Sequence, residues 1–259
     1  MNDVIKGTNV SNTWLKAILH LKANRKEAYN LIAEIEHPTV EDLETKYELN
    51  TLLESKNLQP IDTVANTIFP TDLITKGYPR EHFYQRFHNL YPRLQKIKVN
   101  DGGTYFGRLV AWGFESPQKP GFNQVEDVIN KLYREKNNGR GIRVMYEMSI
   151  YNPEWDHTNQ MGFPCMSFIS LKIRGDVVDL TAIYRNQYFI EKSYGNYLGL
   201  GRLLGFICKH SGFNIGKLTC IATHAHLESV KKEDMQKFYH LSSSVKQLEM
   251  ETTIIKIEK

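Results

Sequence analysis

Apolar residues along this chain keep two spacings. Between Ser11 and Ala23, Trp14, Ala17, Ile18 and Leu21 follow the three-four spacing that lays one stripe along a helix. The same period runs through Asn123–Lys136, where Val125, Val128, Ile129 and Leu132 are the apolar members. Tyr194–His210 reads as a long apolar helix, with Leu198, Leu203, Leu204, Phe206 and Ile207 among its buried positions and Gly212 as its stop. Further helices are predicted from Thr39 to Ser55, with Asp42 in a capping-box position, and from Glu81 to Leu90 between Pro79 and Pro92. Lys232–Leu241 reads as helical too. Thr63–Phe69 is a short helix or buried segment carrying one polar residue, Asn66.

Strands are predicted over Ala28–Glu36, Ile142–Ile150, Cys165–Arg174, Val177–Arg185, Lys217–Leu227 and Thr252–Glu258. A tight turn at Gly175-Asp176 makes the middle two an antiparallel pair. Gly102-Gly103 marks a turn, residues 137–141 a loop, and a polar loop runs from Asn152-Pro153 to Gly162. Strands and helices in mixed order predict an α+β fold on one large sheet.

The chain has 259 residues, 41% hydrophobic and 24% charged, so one globular domain over residues 1–259 is expected. A net charge of +4 suits an anionic small molecule as well as nucleic acid. The aromatics sit at core spacings rather than between exposed lysines, so nucleic acid is not expected. Three cysteines, with no zinc spacing, argue against a disulfide framework and for a reducing compartment. Residues Met1–Val10 are polar, and no apolar run reaches the roughly 18 residues that span a bilayer. A cytoplasmic protein without a membrane partner is expected.

Four groups on separate elements carry candidate chemistry. Pro164 sets Cys165 at a strand start, where a thiol can serve as a nucleophile; otherwise it is a core residue, as Cys208 and Cys220 are read to be. Arg185 ends the next strand beside Asn186 and Gln187. Its guanidinium either forks onto a phosphate or lies in solvent. Asn196 opens the long helix, and either caps it or matches the O4/N3–H edge of uracil. His224 and His226 point the same way along a strand. With no third ligand at a suitable spacing, no metal is expected, and hydrogen bonding to a sugar hydroxyl is preferred, Glu228 lying on the same face.

Together these residues resemble the thymidylate synthase family. There a Pro-Cys pair presents the nucleophile, with an arginine twenty residues on, an asparagine eleven further and a histidine thirty beyond that. Cys165, Arg185, Asn196 and His226 keep those intervals. The resemblance is strong from Phe163 to Leu227. Upstream, Y-F-G-R at Tyr105 and Y-N-P at Tyr151 are similar to the family's Y-G and W-N-P segments, and residues 1–62 diverge.

The resemblance implies a thymidylate synthase-like fold, a large mixed sheet with helices packed on one side. It implies that Cys165 adds to C6 of a pyrimidine nucleotide, dUMP or UMP, with Tyr105 in the catalytic set. Arg185 would hold the phosphate, Asn196 the base and His226 the sugar, with Asn186 also among the substrate-binding residues. 5,10-Methylenetetrahydrofolate would supply the one-carbon unit. A homodimer would lend Arg140 and Arg143 to the phosphate.

Several family positions are altered. Tyr188 replaces the carboxylate that faces the folate pterin, Met166 replaces a histidine, and Glu228 replaces a tyrosine. Asn66 falls where the catalytic glutamate is expected. Neither the family's N-terminal arginine loop nor its C-terminal closing tail is recognisable. Glu228 is expected to take both hydroxyls of a ribose. A methyl or hydroxymethyl transferase is one reading, and a nucleotide-binding protein without turnover is the other.

Overall fold

The structure, a computed structural model, describes residues 3–100, 102–139, 141–157 and 162–243. The chain begins with strand β1 (Val4–Asn9), helix α1 (Val10–Ala23) and strand β2 (Glu27–His37), a crossover unit in which β1 and β2 run parallel. Helices α2 (Leu43–Ser55), α3 (Ile61–Ile68), α4 (Arg80–Gln95), α5 (Tyr105–Val110) and α6 (Gln124–Asn138) follow. Strand β3 (Tyr146–Ser149), the short helix α7 (Pro153–Asp156), and strands β4 (Met166–Arg174) and β5 (Val177–Tyr184) come next. Then come β6 (Gln187–Tyr188), a π-helical turn (Phe189–Ser193), α8 (Tyr194–Ser211), β7 (Asn214–His226) and a helix over 232–243, α9.

The strands form one mixed sheet in the order β1-β2-β7-β5-β4-β3, with β6 continuing alongside β7 past the end of β5. The long strand β7 is its spine, antiparallel to β2 and parallel to β5 and β6. Alternate residues (Leu31, Ala33 and Ile35 on β2, Leu180 and Ala182 on β5, Leu218 and Cys220 on β7) are buried beneath helices. Their neighbours, such as Ile32, Ile183 and Ile221, face the other way and are only half-buried. The architecture is α+β, with a mixed sheet whose covered face carries the core.

Polar caps set several helix starts. Asn9, Asp42, Thr104, Asn123 and Asn152 each accept a backbone N–H from the first turn of the helix that follows. Asp42 is therefore the cap itself, and α2 begins at Leu43 rather than after Thr39. Gly212, at φ +83°, closes α8 as expected, its N–H donating to the Cys208 carbonyl.

Five elements depart from the periodic reading. Helix α4 continues through Pro92 to Gln95. Strand β3 starts at Tyr146 rather than Ile142, and the polar loop after it contains α7. Strand β1 has too few apolar residues to announce itself, and is held by its pairing with β2. The π-turn ahead of α8 has no spacing of its own to betray it. The strand expected at Thr252–Glu258 lies outside the described residues.

No helix among the described residues is long and apolar enough to cross a membrane.

Candidate functional site

Cys165 sits one residue ahead of β4, next to an irregularity in the β4–β5 register between Met166 and Phe168. Such bulges re-aim side chains at strand ends. Its carbonyl accepts the backbone N–H of Arg185 at 2.9 Å. The Arg185 guanidinium folds back over this loop, with its carbon 3.8 Å from the centre of the Phe163 ring. It donates to the carbonyls of Phe163 at 3.1 Å and Pro164 at 3.4 Å.

On the other side, Thr104 caps α5 and presents Tyr105, whose hydroxyl accepts the Met166 N–H at 3.3 Å. Burial raises the Tyr105 phenol, and the nearby Cys165 adds to the rise. Burial likewise pushes the Cys165 thiol up. Arg185 and Lys192, on the π-turn, pull it down without cancelling the rise.

Asn196 is the third residue of α8 and 4% exposed. Helix α8 follows directly from the π-turn and has no side-chain cap, so Asn196 is not capping it. Its carboxamide forms no hydrogen bond among the described residues. Gly195 and Gly199 let α3 approach: a Cβ on Gly199 would stand 2.7 Å from the Ala65 carbonyl oxygen. That approach holds the first turn of α8, with Asn196, in place.

At the far end of β7, His226 lies opposite Tyr188 in register, their rings edge-on at 6.0 Å. His224 is held from both sides, Nδ1 to Asn186 Oδ1 at 2.7 Å and Nε2 to Glu27 Oε1 at 2.6 Å. Tyr29 stacks on its ring.

Two expected site residues have other work. Glu228 accepts the backbone N–H groups of Ile190 and Glu191, one on each oxygen, at 3.0 and 2.9 Å. It satisfies the free amides of the π-turn rather than facing a sugar. Asn66 donates to Asp72 at 3.2 Å and accepts from Arg202 at 3.5 Å, on the side of α3 that meets α8. No hydrogen bond joins it to Cys165 among the described residues. Arg143 is exposed, and Arg140 lies outside the described residues.

The sequence reading missed a buried ion pair that braces the nucleophile loop. Arg108 forks onto Asp156 at 2.5 and 2.7 Å and also donates to the carbonyls of Gly102 and Ile150. Gly102 in turn packs against Gly162 and Phe163. Burial alone would raise the Asp156 carboxyl, but Arg108, the Asn152 N–H and Arg185 hold it below the usual carboxylate range. The Y-F-G-R segment contains Arg108, but nothing in the sequence pointed to Asp156. Tyr184 and Tyr197 were also missed. Their hydroxyls, like the Gln187 amide, are buried without a hydrogen-bond partner among the described residues. A cavity of about 210 Å³ opens beside Gly102, lined by Tyr91, Arg108, Trp155 and Asp156 among others.

Among the described residues no group of three or more His, Cys, Asp or Glu could hold a metal. No protein-family model matches the chain. Proteins named "Putative thymidylate synthase" from Methanococcoides burtonii and Methanosarcina mazei match over 124 residues at 31% and 30% identity. The match takes in 48% of this chain and 52% of each relative, so the chain spans about half the length of the curated relatives it matches. Over that half of its length the chain is similar to these putative thymidylate synthases. The crystal structure of thymidylate synthase from T4 phage superposes with a TM-score of 0.49 at 14% identity, covering 82% of this chain and 70% of that one.

Tyr188, which the resemblance places at a pterin-facing carboxylate position, is 41% exposed with its ring edge-on to His226. A phenol cannot take two pterin N–H groups as a carboxylate does. The residues present fit the folate poorly.

Proposed function

We propose that this chain binds a pyrimidine nucleotide, dUMP or UMP, and that Cys165 adds to C6 of the base to activate C5 for methyl or hydroxymethyl transfer. The observation that carries this reading is the gathering of Cys165, Tyr105 and the Arg185 guanidinium around one loop. A buried Asn196 carboxamide that makes no hydrogen bond among the described residues adds to it.

In the reaction, the thiolate forms a bond to C6 and the C5–C6 π pair moves toward O4. Carbon 5 becomes nucleophilic. C5 bonds to a one-carbon unit at the methylene level from a donor. The C5 proton leaves to a base as the donor is released, giving an exocyclic methylene. That methylene takes water to give hydroxymethyl, or a hydride from the donor to give methyl, as the C6–S bond breaks, the thiolate leaves and the C5–C6 double bond returns. Arg185 and Lys192 favour the thiolate that starts the cycle. Tyr105, whose hydroxyl accepts the Met166 N–H beside the thiol, is the group proposed to move the C5 proton. Asn196 gives and accepts one hydrogen bond each at the O4/N3–H edge, and His226 faces the sugar. Tyr188 stands where a folate's carboxylate contact is expected.

A second reading, nucleotide binding without turnover, is favoured by Asn66. The residue in the expected glutamate position is tied to Asp72 and Arg202. Its loss from the reaction would cost on the order of 10²–10⁴ in rate.

A homodimer fits the uncovered sheet face. Phe168, Ile183, Ile221 and Ile32 stand in one row across β4, β5, β7 and β2, each only half-buried. A second copy would cover that row. The three cysteines are free, in keeping with a reducing, cytoplasmic setting.

Tritium release from [5-³H]-labelled dUMP, UMP and dCMP tests the reading. Release that needs Cys165 supports addition at C6. Nucleotide binding without release selects the second reading, and no binding of any of the three ends both.

A further inference from the structure

Glu228 leaves the end of β7 and reaches back to the start of the π-turn. Its two oxygens accept the N–H groups of Ile190 at 3.0 Å and Glu191 at 2.9 Å. A π-turn bonds each residue to the fifth one along, so these early amides have no partner within it. The Phe189 carbonyl is gripped as well, by Trp14 Nε1 and Ser193 Oγ, both at 2.7 Å. Glu228 is fixed in turn from the sheet. Leu227 beside it is buried and donates its N–H to the Lys26 carbonyl at 2.9 Å.

Lys192 is the fourth residue of the turn. Its ammonium pairs with Glu191 at 2.7 Å, so both charges of that pair sit on the clamped segment. Against the rise that burial imposes, Arg185 and then Lys192 pull the Cys165 thiol down. The two cations are held differently. Arg185 is tied to the Phe163 and Pro164 carbonyls of the nucleophile loop itself. Lys192 depends on the turn. Asn196 does not, because Gly195 and Gly199 seat α8 on α3, and a Cβ on Gly195 would stand 2.8 Å from the Ile61 carbonyl oxygen.

We infer that Glu228 is a positioning residue, whose grip on the π-turn keeps the Lys192 ammonium near the Cys165 thiol. The clamp prepares the nucleophile without touching the nucleotide. That the thiol then attacks a base rests on the proposed function, whereas the clamp on it does not.

Alkylation of Cys165 by iodoacetamide at pH 8 tests the clamp, because the sign of the effect separates the roles open to Glu228. Glu228→Gln removes a negative charge, which by direct electrostatics would favour the thiolate and speed the reaction. It also sets an NH₂ group against one of the two backbone N–H groups, which frees the turn and Lys192 with it. The rate should therefore fall, by about two- to threefold, and should not fall in a Lys192→Gln background. Glu228→Asp, with the carboxylate one methylene shorter, should lie between wild type and Glu228→Gln. An unchanged or faster rate in Glu228→Gln, or equal slowing with and without Lys192, would overturn the inference. Titrations with UMP and dUMP complete the test. Both should bind Glu228→Gln within about twofold of wild type. A loss of about tenfold with alkylation unchanged would return Glu228 to a sugar contact and overturn the clamp. Slower alkylation in a protein that binds neither nucleotide would end the nucleotide reading and leave the clamp standing.

Discussion

The backbone N–H of Arg185 donates to the carbonyl of Cys165 at 2.9 Å, across the open end of the β4–β5 hairpin. Twenty residues of chain separate them, but the tight turn at Gly175 folds the two strands back to back in register. The thiol and the guanidinium are thus neighbours because of strand pairing, and their closeness does not depend on a flexible loop. The electrostatics of the thiol follow from this placement.

Burial holds Cys165 mainly as the thiol at neutral pH, against the pull of Arg185 and Lys192. Alkylation by iodoacetamide, which needs the thiolate, should therefore keep accelerating above the usual thiol range near pH ~8.5. Lys192→Gln removes one of the two cations without touching the nucleophile loop. The thiol should rise further, and the rate at pH 8 should fall about threefold. Arg185→Met should slow it more, by up to about tenfold. Cys208, pushed up to about 12, and Cys220, raised higher by complete burial, should stay unmodified until the protein unfolds. Pulsed alkylation with peptide mass spectrometry reads all three, and a faster Cys165 in Lys192→Gln would contradict the account.

The Arg108–Asp156 pair should show itself in stability. Both side chains are almost wholly buried, so removing one leaves the other charged and unpaired. Asp156→Asn should cost about 3–5 kcal/mol at pH 7 by urea unfolding. The pH dependence has a definite sign. The carboxyl is depressed in the folded state, so its contribution is complete above the unfolded value near ~3.9 and is lost as pH falls through the folded value. The gap between wild type and Asp156→Asn should therefore narrow in acid. A gap that widens would show that the pair is not ionised.

Two glycines of α8 should behave in opposite ways. A Cβ on Gly199 would stand 2.7 Å from the Ala65 carbonyl oxygen and 2.9 Å from Ile68 Cβ, forcing α3 outward. Gly199→Ala should destabilise by about 1–3 kcal/mol. A Cβ on Gly205 would meet Thr39 Cγ2 at 3.5 Å and Ile215 Cδ1 at 3.7 Å, which is ordinary contact. Gly205→Ala should be neutral or stabilising by up to about 1 kcal/mol, through helix propensity. Thermal melts of the pair check this, and equal losses would mean that the approach of α3 is not what requires Gly199.

How much of this was legible beforehand depended on whether local sequence decides the feature. The stripe through Trp14 and Leu21 gave α1, and the Gly175-Asp176 turn gave the β4–β5 pair, because period and turn chemistry act over a few residues. Cys165, Arg185 and Tyr105 were found through intervals and fragments resembling a family, and the fold brings those three together. Asn66 falls at the expected glutamate position by alignment alone, whereas on α3 its carboxamide is tied to Asp72 and Arg202. Glu228 was read as sugar-facing from strand alternation, but the π-turn it satisfies left no mark in the sequence. Asp156 was hidden for another reason. A carboxylate in a polar loop looks solvated until Arg108, 48 residues earlier, is seen to reach it.

The half-buried row on the open sheet face should break a dimer when charged. Ile221 lies at its centre, flanked by Ile183 and Ile32 on the neighbouring strands. In a two-fold assembly one substitution alters both sides of the contact. Ile221→Lys should convert a dimer to monomer in sedimentation with little change in secondary structure. A wild type that sediments as a monomer would refute the dimer outright.

Asn196 should decide the base. Its carboxamide offers a donor to O4 and an acceptor to N3–H of uracil, whereas a carboxylate offers only acceptors. Asn196→Asp would set a negative oxygen against uracil O4 but opposite the amino group of cytosine. The side chain is 4% exposed and makes no hydrogen bond among the described residues, so the substitution breaks no contact of the fold. Its cost lies in burying a charge, which should lower the melting temperature of the free protein and be partly relieved by a cytosine nucleotide. Binding of dUMP and UMP should weaken by about 10–100-fold, or roughly 1–3 kcal/mol, while dCMP and CMP gain on them. Titration of all four nucleotides against both proteins gives the answer. An equal loss for both bases would place Asn196 away from the exocyclic group, and the base would then have to be read by the unpartnered groups of Tyr184, Tyr197 or Gln187.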